Sequence, residues 1–255
     1  MKIRSIVLAV LAVVVLTPVA AQQSPPLRVF IRSSQKTHGP GLHDYPAFLT
    51  DWKALLAERG AVVDGAQRFP TADELAKTDV VIIYASDGGF VRPEERAVLE
   101  PYLTRGGGLV TIHDGMCSND ASWFATIVGA AKQHGETNFS AGLVKLHFVD
   151  QTHPITRGLT DFEIDDEAFF LLRTAPEMHL LATAPLPSAH AGEIVPQLWT
   201  YEKTLPGGQP YRSFVSMQGH VYANFKVPAY QNLLLRGIAW AGKRPVDLLT
   251  RSTRS

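Results

Sequence analysis

The chain has 255 residues, 45% of them hydrophobic and 19% charged, a globular composition that excludes a disordered or fibrous protein. Its 24 basic side chains balance 24 acidic ones, and no basic stripe is present to neutralise phosphates, so a nucleic-acid partner is excluded. The single cysteine, Cys117, rules out an intramolecular disulfide and a Cys-rich zinc site, which leaves the fold to be held by its core.

Residues 1–21 carry a short basic start (Lys2, Arg4), an apolar run from Ile6 to Leu16 and small residues at Ala20-Ala21. That pattern predicts a secretory signal cleaved after Ala21, and hence a periplasmic or secreted protein. The run is shorter than the ~20 apolar residues of a spanning helix, so no stable membrane anchor is expected after cleavage. Residues 22–26 read as a linker, 27–244 as one domain and 245–255 as a C-terminal tail.

Leu27 to Ile31 reads as the first strand, followed by a polar loop over 33–44 that ends at Asp44, a plausible helix N-cap. Phe48, Leu49, Trp52, Leu55 and Leu56 then recur on one helical face, and Gly60 ends that helix. A short strand is expected at Ala61-Val62-Val63. Asp79 to Tyr84 is a β-branched run without polar alternation, the mark of a strand buried on both faces. Pro93, Glu94 and Glu95 open another helix, which Pro101 is expected to end or kink. Gly106-Gly107-Gly108 turns into a buried strand over Leu109–Ile112, and a helix is expected from Ala121 to Val128. Strands are predicted for Leu143–Val149 and near 178–183, 195–201 and 211–217, with a closing helix over Tyr230–Trp240. The alternation of strands and helices up to Val128 predicts an α/β fold, a doubly wound, mostly parallel, flavodoxin-like sheet with extra strands in the second half.

Open parallel sheets bind ligands beyond the carboxyl ends of their strands. That rule selects three loops: one with His38, His43 and Asp44, one with Ser86 and Asp87, and one with His113, Asp114, Cys117 and Ser118. Two His-Asp pairs, His43-Asp44 and His113-Asp114, thus fall on one rim. Asp165-Asp166-Glu167 is either a solvated turn or a set of carboxylates serving as metal ligands or a general base. Gly219-His220 follows another apparent strand. Cys117 lies four residues beyond the strand end at His113, not at the sharp elbow where amidotransferases of this fold place their cysteine, and no G-x-S-x-G is present. No G-x-G-x-x-G follows the first strand, so no nucleotide cofactor is expected. Histidines and carboxylates without cysteine suit zinc or another first-row divalent ion such as manganese. His153, before Pro154, reads as a turn-structuring residue.

Ordered pieces of the chain resemble the ThuA-like family, the trehalose-utilisation type. They are Gly41-Leu42-His43-Asp44, the glycine-rich turn and strand ending at His113, Trp123, Gly129 leading to His134, Thr152 to Leu159, Asp166-Glu167, Pro196 to Trp199, Gly219-His220 and Gly237 to Ala241. The resemblance implies a class I glutamine-amidotransferase-like fold without the catalytic cysteine. It also implies a role in disaccharide catabolism beside a sugar dehydrogenase that makes 3-keto-glycosides. The segment around Cys117 departs from the family by being more acidic.

The expectation is an enzyme acting on a keto-sugar or glycoside by hydrolysis, elimination or isomerisation. His113 and Glu167 are the candidate bases, with Asp166 and His220 also catalytic. His43, Asp44, Asp87, Asp114, His134 and Trp199 are the candidate substrate-binding residues, and His43, His113 and His220 the candidate metal ligands. The alternatives are a sugar-binding module that stacks its ligand on Trp123, Trp199, Tyr201 or Tyr222, and an amidase or peptidase using Cys117.

Overall fold

The structure, a computed structural model, describes residues 25–187 and 192–251; the expected signal at 1–21 and the end of the tail lie outside them. In chain order the elements are β1 (Arg28–Arg32), α1 (Tyr45–Glu58), β2 (Val62–Ala66), α2 (Ala72–Ala76), β3 (Val80–Ile83), α3 (Pro93–Thr104) and β4 (Gly108–Ile112). There follow β5 (Cys117–Ser118), α4 (Ala121–Val128), β6 (Ala130–Gln133), β7 (Phe139–Phe148), β8 (Phe162–Phe169), β9 (Arg173–Thr174), β10 (His179–Pro185), β11 (Ile194–Thr204), β12 (Pro210–Ser216) and α5 (Pro228–Ala241). None of the described helices is long and apolar enough to cross a membrane.

Nine strands form one sheet in the order β2-β1-β3-β4-β12-β11-β10-β7-β8. The first five run parallel, in the flavodoxin-type order with the reversal between β1 and β3. From β12 to β8 every pairing is antiparallel, so the extra strands extend the parallel half rather than form a separate domain. A small sheet, β5-β6-β9, was not foreseen from the sequence.

Alternation along the central strands sends side chains into two cores. Val29, Ile31, Val80, Ile82, Val110 and Ile112 face α1 and α5, while Phe30, Val81, Ile83, Leu109 and Val215 face the α2, α3 and α4 side. Within α1, Phe48, Trp52 and Leu56 are almost wholly buried, each worth about 1.5–3 kcal/mol of burial. Asp44 caps this helix as expected, accepting a hydrogen bond from the Ala47 backbone N–H at 3.3 Å.

Two expectations are corrected. Pro101 does not end α3, which runs on to Thr104; Pro101 stands in the last turn, where the N–H it lacks removes only one bond near an end already reached. The acidic run at 165–167 is no turn but the middle of β8, with Asp166 facing the interior. The start of the expected C-terminal tail packs against the domain: Leu249 is buried, and Arg59 Nη1 donates to the Thr250 carbonyl at 2.7 Å.

Candidate metal centre

The carboxyl ends of β1, β4 and β12 deliver three histidines to one point. His43 ends the loop after β1, His113 is the first residue after β4, and His220 lies just beyond β12. Glu167 comes from β8, whose end lies against the 217–220 segment: the Phe169 N–H contacts Met217 Sδ, and Asp166 accepts the N–H groups of Gly219 and His220. His43 Nε2 is 2.9 Å from His113 Nε2 and 2.7 Å from His220 Nδ1. Glu167 Oε2 is 3.6 Å from His113 Nε2 and 3.4 Å from His220 Nδ1. One ligand atom from each of the four residues lies within 4.8 Å of all the others. The expected trio His43, His113 and His220 is therefore brought together, and Glu167 joins it.

The backbone is strained where this happens. His43 and His113 have φ of 43° and 49°, in the left-handed region that non-glycine residues rarely occupy. Such conformations cost ~1–3 kcal/mol each and concentrate at functional sites. Gly219 is required beside them, because a Cβ there would lie 2.9 Å from His113 Cβ.

The outer contacts fix the tautomers. His113 Nδ1 faces the Met217 carbonyl at 2.8 Å, which can only accept, so Nδ1 carries the proton and Nε2 a lone pair. His43 Nδ1 faces Asp114 Oδ2 at 3.3 Å, and Tyr45 donates its hydroxyl to the same oxygen at 2.8 Å. His43 Nε2 therefore also carries a lone pair. Two acceptor nitrogens 2.9 Å apart repel unless a cation lies between them. Histidines held by a carboxylate and a carbonyl in this way are the usual outer shell of a metal site.

Burial, together with the neighbouring imidazole of His113, lowers His43 to about 2 and His220 to about 4, so both are neutral at pH 7, the form in which an imidazole can ligate. Burial raises Glu167, and burial also raises Asp166. Burial pushes Asp114 up, but His113, His43 and the Tyr45 hydroxyl hold it below the usual carboxylate range. In metal-free protein, His43 and His220 are expected to show no imidazole titration between pH 8 and 5, as read by NMR. The unfolded chain protonates both near pH 6.5 and the native state does not, so these two groups subtract stability as pH falls from about 6.5 toward 4.

The other expected site residues divide. Asp114 is a positioning residue for His43. Asp166 is buried and organises the 219–221 backbone and Asn224. Asp44 caps α1 and pairs with Lys36 at 3.6 Å. Asp87 and His134 pair with each other at 2.7 Å on the same rim. Trp199 is corrected: it is wholly buried and its indole N–H donates to the Val128 carbonyl, so no face is open to a ligand. Tyr201 is buried too, and the Arg96 guanidinium covers Trp123 at 3.6 Å, so these aromatics form no sugar platform. His153 structures its turn as expected, its Nδ1 accepting the Ile155 N–H at 3.2 Å.

His38, placed on the rim loop by the sequence but given no role, has its ring 4.0 Å from that of His43. Tyr45, whose hydroxyl holds Asp114, was missed, since nothing local marks a tyrosine beside a helix N-cap as a partner of a residue 69 positions on.

Cys117 is buried, and burial together with the Asp114 charge pushes its thiol well above its ordinary value, the opposite of an activated nucleophile. Iodoacetamide under native conditions is expected to leave it unmodified, with labelling by mass spectrometry appearing only on unfolding.

A mixed α/β sheet with this rim of histidines defines a doubly wound protein whose site lies at the carboxyl ends of the parallel strands. The ThuA family model, described as trehalose utilisation, matches residues 33–241, and the chain belongs to that family. The family supports a carbohydrate-related role. A protein described as ThuA-like from Bacteroides uniformis is similar over 88% of this chain and 95% of its own, with a TM-score of 0.67 and 18% identity. Another, from Parabacteroides merdae, is similar over 90% and 92%, with a TM-score of 0.62 and 18% identity. At that identity the likeness concerns the fold. A comparison with curated protein sequences found no match.

Proposed function

We propose that the protein is a divalent-metal-dependent enzyme of carbohydrate catabolism, acting on a 3-keto-glycoside. The observation that carries this is the convergence of His43, His113, His220 and Glu167, with the lone pairs of His43 Nε2 and His113 Nε2 turned to each other. Ligands about 2.0–2.2 Å from a central ion stand roughly 3.3–3.5 Å apart in a tetrahedral set. The four observed separations, 2.7, 2.9, 3.4 and 3.6 Å, bracket that value. Three imidazoles and one carboxylate suit zinc, or manganese with further positions open to substrate oxygens.

An ion held there supplies Lewis-acid polarisation of a ketone oxygen, which acidifies the neighbouring C–H. The chain does the rest of the positioning. Asp114 and Tyr45 hold His43, the Met217 carbonyl holds His113, and Asp166 holds the backbone that carries His220. With their ligating atoms turned to one another, His113 and Glu167 serve as ligands rather than as the base. The reading has the protein exported by its residues 1–21, with a sugar dehydrogenase upstream producing the ketone.

The test uses chelator-stripped protein and 4-nitrophenyl 3-keto-glucopyranoside, with and without added zinc or manganese. Nitrophenol release that returns only with metal supports the reading. Equal release without metal overturns the Lewis-acid part, and no release under either condition overturns the substrate class.

A further inference from the structure

If the four converging side chains are ligands, the proton next to the ketone must be taken by a group outside them. We infer that His134, oriented by Asp87, is that general base and the acid that follows; the inference rests on the function proposed above. His134 Nδ1 donates to Asp87 Oδ1 at 2.7 Å, which leaves Nε2 as the lone-pair nitrogen of a half-exposed ring. The Phe90 ring stands edge-on against His134, with centroids 5.0 Å apart. A carboxylate that fixes the tautomer of an exposed imidazole is an arrangement that general-base catalysis uses.

Both arms of the dyad are hydrogen-bonded to the segment that follows His113. Asp87 lies beyond the end of β3, and the next residue, Gly88, donates its N–H to the Asp114 carbonyl at 3.0 Å. The His134 N–H donates to the Ser118 carbonyl at 2.8 Å. Both members are thus tied to the segment that begins at His113. Asp87 also has φ of 46°, so the backbone is held in the left-handed region at this position as it is at His43 and His113.

The chain supplies its own controls. His147–Asp161 at 2.7 Å and His179–Asp150 at 2.8 Å are equally close pairs. They lie on the antiparallel half, and neither aspartate has a positive φ. Proximity alone therefore does not single out Asp87–His134; its position on the rim and its strained aspartate do.

The step balances without a redox partner. His134 Nε2 takes the proton from the carbon next to the ketone, and the C–H electron pair becomes the C=C bond of the enolate. As the ketone re-forms, that pair moves to make the new ring C=C bond. The bond from the anomeric carbon to the leaving oxygen breaks with its electrons. The imidazolium then returns its proton to that oxygen, releasing an alcohol and an unsaturated keto-sugar.

The experiment measures 4-nitrophenyl 3-keto-glucopyranoside turnover together with exchange of the C2 proton into deuterated water by NMR. His134→Ala is expected to lower kcat and C2 exchange by about 10²–10⁴-fold while metal content and melting temperature stay as in the wild type. Added imidazole should restore part of the rate. Asp87→Asn should lose less, and His147→Ala and His179→Ala should stay within about twofold of wild type, since neither lies at the site. Full activity of His134→Ala in an otherwise active protein overturns the dyad alone, most directly if His38→Ala is the variant that loses exchange with its metal retained. Wild-type protein that neither releases nitrophenol nor exchanges the C2 proton overturns the function proposed above, and the dyad's role with it.

Discussion

Protein carrying His113→Ala is expected to retain less than about a tenth of the divalent metal held by the wild type, since even outer-shell changes cost 10–100-fold in affinity. The reason is geometric. His113 Nε2 stands 2.9 Å from His43 Nε2 and 3.6 Å from Glu167 Oε2, so its loss opens one side of the donor set. The alanine also relieves the lone-pair conflict with His43 and leaves the left-handed backbone at 113 in place. It also leaves the Met217 carbonyl without its donor and a void beside Phe169, so the variant should fold in metal-free buffer with a melting temperature somewhat below the parent's. The metal-dependent difference should appear on adding zinc. At about 100 times its dissociation constant, a ligand adds ~2.7 kcal/mol to the stability of the protein that binds it. Wild-type melting should rise accordingly and the variant's should not. Elemental analysis of protein purified without chelator or histidine tag, paired with melting curves, makes the measurement. Equal metal in both proteins would remove His113 from the ligand set.

Asp166→Ala is expected to have the largest effect on stability. Asp166 is 2% exposed. Its oxygens accept the N–H groups of Gly219 at 3.2 Å, His220 at 3.1 Å and Val221 at 3.4 Å, and the Asn224 amide at 2.6 Å. Each buried donor left without a partner costs ~1–3 kcal/mol, so the total should reach ~3–5 kcal/mol even with some relaxation. In a domain of this size that is a fall of roughly 10 °C or more in melting temperature. Asp166→Asn keeps the shape and one acceptor oxygen, and should lose less. Because the same bonds hold the His220 backbone, both variants should bind zinc more weakly than the wild type. A melting temperature within about 2 °C of wild type for Asp166→Ala would contradict this account, since it would place the loss below ~1 kcal/mol.

The amphipathic spacing of Phe48, Trp52 and Leu56, the capping Asp44, the β-branched run at 80–83 and the glycine turn before Leu109 all act through near neighbours. Those elements were legible for that reason. The rule that ligands bind beyond parallel strand ends then placed His43 and His113 on one rim, as the structure has them. The ligand-stacking expectation for Trp199 failed, because an aromatic in a strand has the same sequence pattern whether its ring meets a ligand or the Val128 carbonyl.

What the sequence determined by itself was local: β1 to β4 with α1, α3 and α4, the histidines at the strand ends and the family to which the chain belongs; the short α2 and the parallel placing of β12 were not read. The tertiary structure alone decided that Glu167, 54 residues beyond His113 in the chain, completes the cluster, and that its neighbour Asp166 turns inward to hold the loop carrying His220. The physical reason is the period of a strand. Successive side chains point to opposite faces, so within Asp165-Asp166-Glu167 the role of each carboxylate depends on which face meets the 217–220 loop. That face is set by the long-range pairing of β7 with β8 and by the packing of β8 against Met217, which no local pattern encodes.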